Sequence, residues 1–410
     1  MTAINGPILF NATTGSDTAA SGLGPSVSVI GSSAELDGTS TVDVSFDMAS
    51  LSGISSGDLL FCDTTSGRKF SVIASVDTLS GTITTDDAWG TESGVSWAVG
   101  GKRATFDNAD SRRLFDADSD GNWIIETETD QNISSAITVS AAYLQLRGAN
   151  DTQRTITQSA DAVHFSVGTR MYFSHIKFQN SNASKTNAFA FTHTVNYVAP
   201  QAYRCVFGDA TNKLASACSQ GSVNFQTIIF YQCEVVHCVS HGIPYWQNGT
   251  FFLNQCLFDS NGGSGTAATH NSNRMTVTSS IFSNNTDDGI LVGNTTANAF
   301  GCVFYNNGRD GYNCAYGAGA FQNCIFHSNG RYGIGALYTS GFVEQCVFYN
   351  NTTADMFSTY YYYESQSSQQ RDSITLTENP FVDPANGDFN LNALVGGGQT
   401  LRSTNFTMGG

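Results

Sequence analysis

Asp288 and Asp310 lie 22 residues apart, and a glycine follows each. If a repeat stacks them, their mutual repulsion raises the pKa of one carboxyl and leaves the other ionised. Carboxyls paired in this way act as acid and base in glycan cleavage. One position earlier in the same repeat stand Asp287, Arg309 and Arg331. Opposite charges there allow a second reading, a solvated turn with ion pairs of small energy. Both readings stand at this point. Glu234, Asp259 and Glu344 fall at scattered positions of the repeat and support acid–base chemistry only weakly.

Asp116, Asp118 and Asp120 alternate and are followed by Gly121, which resembles the opening of a calcium loop. The twelfth position is Thr127 where such a loop carries Glu, with Glu126 and Glu128 on either side. The segment is therefore either a structural calcium site or an acidic solvated turn. The chain has no phosphate loop, no GxSxG and no HExxH. Nucleotide chemistry and a nucleophile triad are not indicated, and calcium is the one cofactor considered.

The elements that would position these residues follow from one repeat. Phe258, Phe282, Phe304, Phe326 and Phe348 are spaced by 24, 22, 22 and 22 residues. Two before each stands Cys256, Ser280, Cys302, Cys324 or Cys346; three after each stands Asn261, Asn285, Asn307, Asn329 or Asn351. Gly265, Gly289, Gly311 and Gly333 lie seven after the first four. A short strand in every unit of 22–24 residues predicts coils of a parallel β-helix, about ten or eleven in all, with like residues stacked. The fold class is all-β. With Cys205 and Cys233, the repeated cysteines form an inward ladder of small apolar thiols rather than disulfides. The asparagine column suits a tight turn where left-handed backbone is tolerated and amides bond along the stack.

Residues 1–100 lack the repeat and read as a small antiparallel β domain, with strands over Asp58–Cys62, Lys69–Val76, Gly81–Thr85 and Val95–Val99. Residues 101–122 form an acidic linker, 123–392 the β-helix and 393–410 a tail. In the helix, strands are expected over Trp123–Glu126, Ile137–Val139, Tyr143–Leu146 and Met171–Phe178, and Asn379–Asn392 supplies a final strand pair and turn.

Strand alternation turns Leu257, Ile281, Val303, Ile325 and Val347 away from the Cys/Phe face. An outward stripe that is wholly apolar is either covered by another segment of the chain or meets neighbouring subunits about a three-fold axis; we take the second as the expectation. Tyr305, His327 and Tyr349, each next to a stacked Phe, form an outward aromatic strip that could contact glycan or another subunit. The formal charge of −16 opposes nucleic acid and anionic membranes, and no apolar run is long enough to span a bilayer. No secretory signal is seen in Met1–Asn11, so synthesis and folding in a host cytoplasm are expected.

With the coils aligned, Cys302–Gly308 (CVFYNNG), Cys324–Gly330 (CIFHSNG) and Asn379–Asn392 make the chain similar to the right-handed parallel β-helices of the pectate-lyase-like superfamily. Lyases, hydrolases, adhesins and viral spikes share that fold, so the resemblance implies the fold and not an activity. Gly57–Phe61 (GDLLF), Gly67–Val72 (GRKFSV), Val99–Thr105 (VGGKRAT) and Ser111–Phe115 (SRRLF) look like segments of bacteriophage virion proteins that join a small β domain to a β-helix. The resemblance implies a trimeric capsid decoration, fibre or tail spike on the virion surface. Its N-terminal domain would bind capsid or tail proteins, and its rod would face host glycan. A polysaccharide-cleaving tailspike using Asp288 and Asp310 is the alternative; a secreted bacterial adhesin is the third.

Overall fold

The computed structural model describes residues 5–10, 29–45, 51, 54, 56, 59–65, 67–99, 106–107, 122–139, 143–167, 170–191, 200–218, 226–244, 249–268, 274–293, 296–314, 319–335, 342–357 and 370–404. The chain divides into two compact units, one of residues 1–159 with 174–176 and one of 160–173 with 177–410.

In the first unit, Val29–Asp37, Thr41–Asp43, Leu59–Thr64, Gly67–Asp77, Thr82–Thr85 and Thr91–Val99 close into an antiparallel barrel. Alternate residues such as Leu36, Val42, Leu60, Ile73, Ile83 and Trp97 fill it. The four expected strands are present with shifted ends. Val29–Asp37 and Thr41–Asp43 escaped the sequence reading because Gly31 to Ala34 interrupts the alternation, and the register shifts there. Asn5–Phe10 is not part of the barrel: it pairs in parallel with Asn122–Thr127, which also pairs with Tyr143–Gly148. The barrel is thus inserted after the first coil strand, and 1–100 is not one uniform domain.

The second unit is a parallel solenoid. Nine strands from Ile176–Asn180 to Ile374–Thr375 follow one another in one of its sheets. The coils from Leu257 onward carry a strand of each of three sheets, such as Thr296–Phe300, Val303–Tyr305 and Tyr312–Cys314. The expected register holds residue for residue: Phe258 pairs with Phe282, Phe282 with Phe304, Phe304 with Phe326 and Phe326 with Phe348. Their rings stack with centroids 4.7–5.3 Å apart and planes within 12°. The cysteines are buried free thiols. Cys324 Sγ, for example, donates to the carbonyl of Ala299 at 3.3 Å, and burial pushes such thiols well above their ordinary pKa. Ser280 interrupts the thiol column without a penalty, because its hydroxyl accepts from Cys256 N–H at 3.0 Å and donates to Thr278 O at 2.8 Å.

The asparagine column is a buried amide ladder. Asn307 Nδ2 donates to Asn329 Oδ1 at 3.0 Å and to the Phe282 carbonyl at 3.0 Å, while its Oδ1 accepts from Asn285 Nδ2 at 2.9 Å. The left-handed residue is not the ladder asparagine but the one before it: Ser260, Asn284, Asn306, Ser328 and Asn350 have φ of 50–54°. At Gly289 a Cβ would lie 2.4 Å from the carbonyl oxygen of Gly311, so only glycine permits this coil contact. Another left-handed residue, His175 at φ 54°, divides the single strand expected over Met171–Phe178 into Arg170–Ser174 and Ile176–Asn180.

After Ile374–Thr375 the chain leaves the stack. Phe381–Asp383 and Asp388–Leu391 pair antiparallel around a turn at Pro384–Asn386, and a short helix follows over Gly398–Ser403. Asn379–Asn392 therefore supplies the expected strand pair but is not a last coil. Residues 393–403 are no free tail, since Leu401 is buried against Val303, Ile325 and Val347.

Truncating Asn307 to Ala leaves several buried amide and carbonyl groups unpaired, which costs ~2–4 kcal/mol. Urea unfolding of the full chain would register this as a lower midpoint with an unchanged slope.

Candidate functional site

Asp288 and Asp310 occupy equivalent positions of neighbouring coils, as expected, and both are fully buried. The backbone N–H of Asp310 donates to Asp288 Oδ1 at 3.0 Å, and that of Tyr332 donates to Asp310 Oδ1 at 3.1 Å. Each carboxylate thus accepts from the residue stacked on it. The arginine column closes the other side: Arg331 Nε donates to Asp310 Oδ1 at 2.9 Å and its Nη2 to Oδ2, and Arg309 Nη1 is 3.7 Å from Asp288 Oδ2. Asn313 Nδ2 reaches Asp288 Oδ2 at 3.4 Å. At the equivalent place in the next coil is Gly335, where a Cβ would stand 2.3 Å from Asp310 Oδ2.

Burial is the largest influence on Asp288 and pushes its pKa up to about 6. The Asp310 N–H and the charge of Arg309 partly oppose this, and the charge of Asp310 adds to it. A raised carboxyl is one mark of a catalytic acid. Here the oxygens face backbone N–H groups, an amide and guanidinium groups, with none left toward solvent. Charges do pair between coils, but not in a solvated turn: Arg309 and Arg331 pair with the buried Asp288 and Asp310 of the column beside theirs. The geometry does not support the acid–base reading of Asp288 and Asp310.

The calcium candidates Asp116, Asp118 and Asp120 lie outside the described residues. His237 and His241 are spaced four apart, a spacing that can bind metal on a helix, but here they flank a turn. His241 Nδ1 instead accepts from Ser264 N–H at 2.8 Å. Asp259 accepts from Ser283 Oγ at 2.6 Å and Asn284 Nδ2 at 2.8 Å, and Glu344 accepts from Gln322.

The apolar stripe is not an open subunit interface over most of its length. Val303, Ile325 and Val347 are buried under Leu376, Phe381 and Leu401, and Ile281 packs partly against the same cluster. Leu257 is half-buried. The same C-terminal segment covers the aromatic strip. His327 is buried between Tyr305 and Tyr349, with centroids at 5.1 and 4.9 Å, and lies 5.7 Å from Phe381. Its Nε2 is 2.9 Å from Asn379 Oδ1, an oxygen that also accepts from Phe381 N–H at 2.9 Å, so Nε2 carries the proton. Tyr305 packs edge-on against Phe389 at 5.6 Å. These rings serve the segment's docking and do not form an open glycan surface. The sequence carried a signal for this: the column runs Asp259, Ser283, Tyr305, His327, Tyr349, turning aromatic where the segment lies.

The structure exposes other aromatics instead. Tyr203, Tyr231 and Phe252 are 37%, 39% and 44% exposed on the outer face of the first sheet of the coils, the one that holds Pro200–Tyr203, Gln226–Tyr231 and Gly249–Asn254. They fall outside the regular Phe repeat, so register reasoning did not single them out.

Comparison with known proteins agrees with this architecture. Residues 201–353 and 271–387 match a family model described as a right handed beta helix region. This part of the chain is a right-handed β-helix. No curated protein matches the sequence. Among solved structures, ORF18 of Geobacillus virus E2 is 13% identical over 63% of this chain and 55% of its own, with a TM-score of 0.31. The chain thus spans about half the length of that protein. The Agl-KA catalytic domain is 10% identical, covering 86% of this chain and 88% of its own, with a TM-score of 0.30. The Gp54 tailspike of Acinetobacter baumannii bacteriophage AP22, in complex with capsular saccharide, is 10% identical over 86% and 66%, with a TM-score of 0.20.

Two titrations follow from the geometry. The raised pKa of Asp288 means that the folded state holds its proton more tightly than the unfolded chain does. Its contribution is most favourable below pH ~4 and is lost as pH rises through about 6. Asp288→Asn should therefore gain stability relative to the parent on going from pH 5 to pH 7, by ~1–2 kcal/mol, in parallel melts. His327 has the opposite sign: burial lowers its pKa, so protonation favours the unfolded segment and stability falls as pH drops below ~6.5. Protection factors for amide exchange over residues 376–401, corrected for the intrinsic pH dependence of exchange, should fall between pH 7 and pH 5 in the parent, and much less in His327→Phe.

Proposed function

We propose that the chain is a structural protein of a bacteriophage particle, a capsid decoration, fibre or tail spike working as a trimer. The barrel would be its attachment module, and the β-helix would be the part presented to the host. The observation that carries the reading is the use made of the polar side chains in the coils. Asn261 to Asn351, Asp288 and Asp310 spend their hydrogen bonds on joining one coil to the next. Such a stack is a rigid support rather than a reactive centre. The small β domain inserted after the first coil strand, together with the strings GDLLF, GRKFSV and SRRLF, supports the virion class.

The cleaving tailspike is the weaker reading because its acid pair is sealed. Since the stripe from Val303 to Val347 is covered within the chain, a trimer would have to use other surfaces. Particles purified on a density gradient should contain the chain in stoichiometric amount by mass spectrometry, and light scattering of the purified chain should give three times the mass of one copy. A monomer absent from particles would end this reading. Glycan cleavage that survives in wild type and disappears in Asp288→Asn/Asp310→Asn would replace it with the enzymatic one.

A further inference from the structure

The outer face of the first sheet in the solenoid unit carries a platform that the proposed function has not used. Tyr203 and Tyr231 are register partners on adjacent strands, and their rings stack with centroids 5.5 Å apart at 21°. That separation is an offset stack, which leaves part of each ring face uncovered by the other. Phe252 pairs in register with Ile229, two residues before Tyr231, so it is the diagonal neighbour of Tyr231 on the same face. A line of hydrogen-bonding groups runs beside the rings. Arg204 lies 5.0 Å over the Tyr203 ring, and its Nε donates to Gln232 Oε1 at 2.9 Å. Gln232 Nε2 donates in turn to Gln255 Oε1 at 2.8 Å. Arg204, Gln232 and Gln255 are all left-handed, with φ of 50°, 54° and 53°, at the turn where each strand of this sheet ends. The backbone therefore sets the polar line beside Tyr203, Tyr231 and Asn254 in three successive coils, with Phe252 two residues back along its strand.

We propose that this platform binds an oligosaccharide. Sugar rings present apolar C–H faces to aromatic rings and hydroxyls to amide and guanidinium groups, and both are supplied here side by side. Three rings bordered by Gln201, Asn254 and Thr278 are too small and too polar for the core of a subunit interface. The net charge of −16 and a single arginine at the site oppose nucleic acid. The inference rests on the virion reading only for the source of the sugar, a bacterial surface glycan.

The test is binding of the full chain to an array of bacterial capsular and lipopolysaccharide oligosaccharides. Binding to at least one member is expected. Tyr203→Ser and Tyr231→Ser should each weaken it roughly tenfold, the effect of losing one stacking ring, and Arg204→Gln should weaken it as well. The rings face outward, so melting temperatures should not move; if Tyr231→Ser fails to fold, Tyr231→Phe, which removes only the hydroxyl, takes its place with a smaller expected loss. No binding to any member, or binding unchanged in these variants, overturns the proposal. Particle association is scored separately, so failure of the glycan site and failure of the virion reading remain distinguishable.

Discussion

Each ladder asparagine bonds to the same amide one coil away, and this contact forces all coils to turn at the same residue. From Cys256, Ser280, Cys302 and Cys324 to the glycine that follows in the same coil the spacing is always nine residues. From that glycine to the next ladder position it is 15, 13, 13 and 13. Length is therefore held where the amides are buried and released on the way back to the first sheet. Buried amides tolerate no slip, because a shift by one residue would orphan several donors and acceptors at once. The phenylalanine stack and the close approach at Gly289 follow from the same register.

That register also explains why two aspartates can be buried side by side. Desolvation and repulsion both disfavour a pair of carboxylates, and Asp288 shows it in a pKa raised to about 6. What offsets the cost is supplied by the next coil in every case: a backbone N–H at hydrogen-bond distance and an arginine whose guanidinium covers the carboxylate. The carboxylates are part of the coil-to-coil joint, so the repeat that brings them together also removes them from solvent.

The C-terminal segment does for the second sheet what a neighbouring subunit might have done. Apolar residues from Val303 to Val347 need a cover, and Leu376, Phe381 and Leu401 provide it from the same chain. His327 is the polar member of that contact. It is tolerated because Asn379 Oδ1 accepts a hydrogen bond from its Nε2–H, while Nδ1 has no hydrogen-bond partner among the described residues.

Much of this was legible in the residues before any coordinates. A period near 22 with Cys, Phe, Asn and Gly at set offsets determined the parallel coils, their register and the inward thiols, because each is a local consequence of stacking like on like. Three things were decided only by tertiary structure. The stripe and the aromatic strip became an intrachain contact, since what covers an apolar face depends on where a segment dozens of residues away folds back. Asp288 and Asp310 lost their candidacy as acid and base, since burial is a property of the surroundings and not of spacing. Tyr203, Tyr231 and Phe252 became an exposed platform, since their coils have longer loops and irregular gaps, and only the folded register shows that they share one face.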